Sequence, residues 1–542
     1  MKPVLILFSI LTCFFSCSPP EQVDLILYNG KIYTVDSAMT IVEAMAIKDG
    51  LIYKTGNNDI IKKLQSKNSI DLEGKTVYPG FYDAHCHFYG YGIDKKKIWL
   101  GGTSSYQAIL DTLKKRKEDT YMGWVFGRGW DQNDWDEKNY PDNESLNQLF
   151  PDIPVFLFRI DGHAAIVNQK ALDLAGINEQ TKVYGGEIIL KNGKPSGVLI
   201  DNAVDLVKLK IPTPGKEQQI EGLLSAQKDC FAVGLTSVSD AGLERDVIAL
   251  LNEMHQDGTL KMRIYAMIAY NDSNLTYYKE NGKIKTDRLN VSSFKVYADG
   301  ALGSRGACLK HEYSDQKNHS GFLLHNISEF EELASFCTEN KFQFNAHCIG
   351  DSAARLIMNI ASAANKNLPE SRWRIEHAQV LDKNDFELFS RYKFIPSVQP
   401  THATSDMYWA EDRIGSERIP YAYAYGALIN AAGMIAAGSD FPVEDINPLY
   451  GFYAAVVRKD KKGYPEKGFQ IENAITREQA LKAMTIWAAY AAFEETEKGS
   501  LEKNKMADFV ILDKDLMNAD ENELWNIKVL QTFVAGESVY KR

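Results

Sequence analysis

Apolar and polar residues alternate in short runs at both ends of this chain, and the pattern changes in between. From Val23 to Lys75 the runs are strand-like. Asp24–Tyr28 ends at Asn29-Gly30 and is followed by Lys31–Val35; Ala44–Ile47 ends near Asp49-Gly50 and is followed by Leu51–Tyr53. Period-two runs broken by Asn-Gly and Asp-Gly predict hairpins. The far end has the same character, with Ala507–Leu512, Val529–Val534, a Gly536-Glu537 turn and Ser538–Tyr540. Neither end alone buries a useful core, so the two are expected to form one small β-sandwich domain, residues 23–78 with 499–542.

Between them, strand-like and helical patterns alternate. The strand candidates are Val77–Phe88, Thr236–Ser239, Met262–Ala269, Phe294–Ala298, Gln343–Ala346, Trp373–Glu376, Phe394–Gln399 and Met434–Gly438. Helical runs separate several of them. Glu217–Val233 closes on Gly234, Ser328–Asn340 opens with a Ser cap and Glu331 three residues on, and Arg477–Phe493 is Ala-rich. Eight strands with helices between them predict an α/β fold, a TIM-like (β/α)8 barrel over 79–498. Residues 94–215 are too long for a crossover and carry strand patterns of their own, Pro154–Phe158 and Gly186–Leu190. They leave from the C-terminal end of a barrel strand, so they are expected to cap the active-site face and shape substrate access.

Composition changes this picture little. Hydrophobic residues make up 45% and charged residues 25% of the 542, and the net charge of −11 argues against a nucleic-acid partner. The seven cysteines are scattered and predict no disulfide framework; Cys86 and Cys348 read as small buried hydrophobes. Residues 1–17 are set apart. Lys2 precedes an apolar run, Val4–Phe15, too short to span a bilayer, and Ser16-Cys17 is followed by Ser18-Pro19-Pro20. This resembles a bacterial lipoprotein signal with lipid on Cys17, although Phe14 stands where such signals carry Leu. A plain secretory signal is the alternative, and both predict export. The lipid would be the chain's one link to a membrane.

The chemistry gathers on strand ends. His85 and His87 share one face of the first strand, with Cys86 on the other. A lone His-x-His is weak evidence for a metal site, but Lys295, His347, His377 and Asp440 each sit in or just past a strand candidate. In a parallel barrel all such ends meet at one face. Taken singly, Lys295 also reads as an ordinary ion-paired lysine and Asp440 as a turn residue or helix cap. His163 is open to a substrate contact or a hydrogen-bonded structural role, and Arg128, Trp130, Asp299 and Arg305 are further candidates for substrate contact. His255, His311, His319, His325 and His402 have no partner at a usable spacing.

The ordered set, with its flanks PGFYDAHCH, FKVYADGALGSRGA, NAHCIGDSA, RIEHAQ and GSDFPV, resembles the amidohydrolase superfamily. The branch it resembles is amidohydrolase family 3, which includes the N-substituted formamide deformylases, and the likeness runs from about Val23 to the C-terminus. The resemblance implies one or two divalent ions, zinc above all. His85, His87 and Asp440 would hold one, His347 and His377 the other, and a carboxylated Lys295 would bridge them. It further implies a metal-activated water, with Asp440 carrying the proton to the leaving nitrogen of a small, non-peptide, linear N-substituted amide. Cyclic amide or lactone opening and ring deamination use the same residues. A lipid-anchored binding protein with a silent barrel is the reading from another class.

Overall fold

The computed structural model describes residues 21–365 and 368–542. The leader and Cys17 lie outside them. Eight parallel strands run in sequence around a nearly closed barrel: β1 Phe81–Cys86, β2 Leu235–Leu243, β3 Arg263–Ala269, β4 Leu289–Tyr297, β5 Gln343–Cys348, β6 Arg374–His377, β7 Ile395–Val398 and β8 Ala436–Ala437. All eight fall on the strand candidates. Their outward side chains, Phe81, Ile264, Phe294, Phe344 and Ile375 among them, join the helices in one continuous core.

The seam between β8 and β1 is closed by a side chain. The Asp83 carboxylate accepts from Ser439 N at 3.1 Å, Ser439 Oγ at 2.6 Å and His85 N at 3.1 Å. Gly438 permits the approach, because a Cβ there would lie 2.4 Å from His85 N.

The two chain ends share a sandwich. One sheet orders Leu51–Gly56, Ala44–Lys48, Leu25–Tyr28 and Asn68–Asp71. The other orders Glu537–Lys541, Val529–Val534, Phe509–Leu512, Thr76–Pro79, Lys31–Tyr33 and Ile41–Val42, so three C-terminal strands join three N-terminal ones in one layer, at the seam between Phe509–Leu512 and Thr76–Pro79. Leu27, Met45 and Ile47 from the first sheet pack with Val77, Phe509 and Phe533 from the second. The Asp49-Gly50 turn is a hairpin, with both residues at positive φ. Asn29-Gly30 is not: Leu25–Tyr28 and Lys31–Tyr33 enter different sheets, and the turn carries the chain across the sandwich. The helix Ile327–Glu339 starts one cap earlier than expected. Glu329, not Glu331, closes the box by accepting from Asn326 N at 2.8 Å.

Between β1 and β2 the inserted segment builds its own six-stranded sheet: Ile98–Trp99, Val125–Trp130, Val155–Arg159, Ala164–Val167, Lys194–Asp201 and Gly186–Lys191. The helices at its base, Phe88–Asp94 and Lys216–Ala232, touch backbone to backbone; a Cβ on Gly92 would meet Gly222 O at 2.4 Å. That contact ties the exit and the return of the insert together over the C-terminal end of the barrel.

Candidate active site

A cavity of about 810 Å³ opens at the C-terminal ends of the barrel strands, walled on one side by the insert. His87, Lys295, His347, His377 and Asp440 line it. His85 sits just beneath, fully buried, with Nε2 3.3 Å from Lys295 Nζ and 3.6 Å from Asp440 Oδ1. His87 Nε2 reaches the same Asp440 oxygen at 3.2 Å. The tightest group is His85, His377 and Asp440, whose ligand atoms all lie within 4.8 Å of one another. The His347 and His377 rings are 4.4 Å apart, so the sequence-predicted ligands converge on one spot.

His85, His377 and His347 each have a polar partner beside the ring. His85 Nδ1 meets Glu376 Oε2 at 2.5 Å, and Glu376 is held in turn by Arg374 at 2.7 Å. His377 Nδ1 meets Gln399 Oε1 at 2.7 Å. The Nε2 of His347 faces Gly300 O at 3.5 Å and Asp299 at 3.6 Å. An imidazole whose outer nitrogen donates to an oxygen presents the other nitrogen's lone pair inward, which is how a metal ligand is prepared. Burial, and then Lys295, pushes His85 down to about 4. Burial and neighbouring histidines hold His347 and His377 well below the usual range. All three rings are therefore neutral at physiological pH, the form that binds a metal.

Asp440 is the complement. Burial favours its neutral form, but His87, His85 and His377 outweigh that and hold the carboxyl well below the usual range. Its Oδ1 is buried without a hydrogen bond of good geometry. Asp440 and His377 both have positive φ, 62° and 72°, a conformation costing a non-glycine residue about 1 kcal/mol or more. Lys295 is 1% exposed, and burial lowers its pKa to about 8, which favours the free amine relative to an ordinary lysine.

The remaining candidates divide. His163 lines the cavity, with Nδ1 2.6 Å from Asp201 Oδ1 and its ring 5.0 Å from that of His347. Arg128 also lines it. Trp130 does not: it is fully buried in the insert's core and donates Nε1–H to Leu157 O at 2.8 Å. Asp299 lies under His347 and accepts from three backbone amides, of Cys308, Ile349 and Gly350. Arg305 is turned away to a bidentate pair with Asp315, at 2.8 and 3.1 Å. Sequence reasoning missed Glu376, although it adjoins His377, and also Gln399. It set aside His402, whose Nε2 is 3.9 Å from Asp440 and whose ring stacks over His377 at 6.2 Å.

A family model described as "Amidohydrolase family" matches residues 68–540. Protein LONG AFTER FAR-RED 3 of Arabidopsis thaliana is 31% identical over 550 residues, covering 97% of this chain and 93% of that protein. The N-substituted formamide deformylase of Arthrobacter pascens is 25% identical over 545 residues, 96% of this chain and 98% of the enzyme. Among solved structures, an uncharacterized metal-dependent hydrolase from Pyrococcus horikoshii OT3 aligns with a TM-score of 0.75 at 26% identity, covering 92% of this chain and 99% of that one.

Proposed function

Because this chain belongs to the amidohydrolase family, we propose that it is a metal-dependent hydrolase of the C–N bond of non-peptide amides, with linear N-substituted amides as its substrates. One observation carries this reading: His85, His377 and Asp440 converge within 4.8 Å, and the two imidazoles are pre-aimed by Glu376 and Gln399. Neutral imidazoles with a carboxylate are a donor set for zinc and similar divalent ions. His85, His87 and Asp440 would hold one ion, His347 and His377 a second, and Lys295, as a carbamate, would join them. A buried ammonium 3.3 Å from a ligand nitrogen opposes a cation, and conversion to a carbamate removes that opposition. Such an ion supplies Lewis acidity, polarising a carbonyl and acidifying water.

The chain's own groups do the rest. Asp440 accepts the proton of the attacking water and returns it to the departing nitrogen. His163, fixed by Asp201, presents its other ring nitrogen to the cavity beside His347. The test is metal analysis of protein purified with bicarbonate present, together with a panel of N-formyl and N-acyl amines set beside cyclic amides, lactones and aminopurines. Turnover confined to the latter three would overturn the linear-amide reading. One metal with an unmodified Lys295 amine would overturn the bridged pair. The leader supports export, and Cys17→Ser should release the protein from the membrane fraction; unchanged membrane association would sink the lipid anchor.

A further inference from the structure

In the wall of the cavity that the histidines also line, three cations surround one aromatic ring. Lys97 Nζ lies 5.0 Å from the centre of the Phe158 ring, Lys208 Nζ 5.3 Å and the Arg128 guanidinium 5.8 Å. All four side chains line the same cavity as His347 and Asp440. They come from separate places: the base of the insert, two neighbouring strands of its sheet, and the helix Asn202–Lys208. Three like charges around one ring repel one another, and the ring's negative face offsets that only in part.

Their anionic partners are few. Asp94 serves two of the cations, Lys97 at 2.5 Å and Arg128 at 3.5 Å, and half-exposed Asp205 serves Lys208 at 3.0 Å. Arg128 Nη2 donates to Ile160 O at 3.1 Å, while its Nε is buried with no hydrogen-bond partner. Arg128 also abuts Gly162, the neighbour of His163, so the cluster stands one residue away from the ring that contacts His347.

We infer that Lys97, Arg128 and Lys208 form an anion-recognising subsite over Phe158, so that the preferred substrates carry a carboxylate on the part of the molecule remote from the scissile bond. The inference deepens the amide-hydrolase reading and rests on it for the word substrate. A planar guanidinium flanked by two ammonium groups suits a carboxylate, and an aromatic floor suits the alkyl chain leading to it.

The test uses the metal-loaded protein and calorimetric titration with hexanoate, 1-hexanol and hexyl phosphate. Hexanoate should bind at least tenfold tighter than the alcohol. That preference should fall at least fivefold in Arg128→Gln and in Lys208→Gln, the second being a partly exposed position where folding is not at stake. Tighter binding of hexyl phosphate than of hexanoate, lost in the same variants, would assign the subsite to phosphate esters. Equal binding of acid and alcohol would overturn the proposal. So would a preference unchanged in both variants, because the carboxylate would then be on the metal centre. In turnover, N-formyl-6-aminohexanoate should exceed N-formylhexylamine in kcat/KM. If neither is hydrolysed while the calorimetric preference holds, the amide reading fails and the subsite stands.

Discussion

The two ends of the barrel hold buried charge in opposite ways. At the N-terminal end, Glu494 is 3% exposed and fully engaged, with Lys285 and Lys498 each at 2.8 Å and Tyr82 Oη at 3.3 Å. Beside it Arg263 makes a two-point pair with Asp508 at 2.6 and 3.0 Å, joining barrel to sandwich. At the C-terminal end, polar atoms are buried but unanswered: Asp440 Oδ1, His402 Nε2, Gln399 Nε2 and Thr401 Oγ1. An unsatisfied buried polar atom costs about 1–3 kcal/mol, so one end of the same strands lowers the energy of the fold while the other end raises it. Two of these residues, Asp440 and His402, line the cavity, where a metal or a substrate would answer them.

The largest effect expected at the costly end is from Asp440→Asn. Activity should fall roughly 10³-fold, the order of a lost proton carrier, without a lower melting temperature. Kinetics and thermal melts run together check this; a fall in both would mean that Asp440 supports the fold and that the two ends do not differ. Glu376→Gln comes next. With the anion gone from His85 Nδ1, metal affinity or activity should drop about 10–100-fold, read by competition with a chelating dye. The same change leaves Arg374 buried beside a neutral group, so the melting temperature falls too, placing Glu376 between the two classes.

At the other end the signs reverse. Glu494→Gln should cost about 3–5 kcal/mol of stability in denaturant titration, while kcat/KM at a temperature where the protein stays folded does not move. Although burial raises the Glu494 pKa, Lys498 and Lys285 bring it down to about 2, from an ordinary 4.5. Its contribution is therefore complete above about pH 4.5 and is lost as pH falls towards 2, a swing of up to ~3 kcal/mol. The Gln variant should lack that part of the acid sensitivity; identical acid profiles would remove Glu494 from the account. The smallest effect belongs to His402→Gln. At 3.9 Å from Asp440 it makes no direct bond, and a few-fold loss, about 1 kcal/mol, is expected. A loss comparable to that of Asp440→Asn would make His402 part of the central group.

The barrel was legible because its strands are buried runs of regular spacing, and because strand ends of a parallel barrel must meet. That geometry alone gathers His85, His347 and His377 across nearly 300 residues of chain. What was not legible depends on side-chain direction. Glu376 alternates with His377 and looks like a neighbour facing away, yet it reaches His85 from β6 across the barrel interior. Trp130 reads from the sequence as a candidate substrate contact; the insert's sheet places it inside. Arg305, at φ 63°, turns to Asp315 through a loop no periodicity describes. The Asn29-Gly30 turn misled for the opposite reason: its local chemistry is that of a hairpin, and only the partners of each strand show that it bridges two layers.

The joining of strands from the two chain ends in one sheet sets an order of events during synthesis. Thr76–Pro79 runs straight into β1, and its neighbour in the sheet is Phe509–Leu512, more than four hundred residues later. Until the ribosome has delivered that segment, one edge of Thr76–Pro79 stays open, and Val77 lacks the Phe509 and Phe533 side chains that share its core. The first layer to be made is thus among the last to be finished. For the whole of elongation the nascent chain carries an exposed, pairing-competent strand edge at the start of β1, at the end of that strand remote from His85, which makes this stretch the place where a chaperone would be needed.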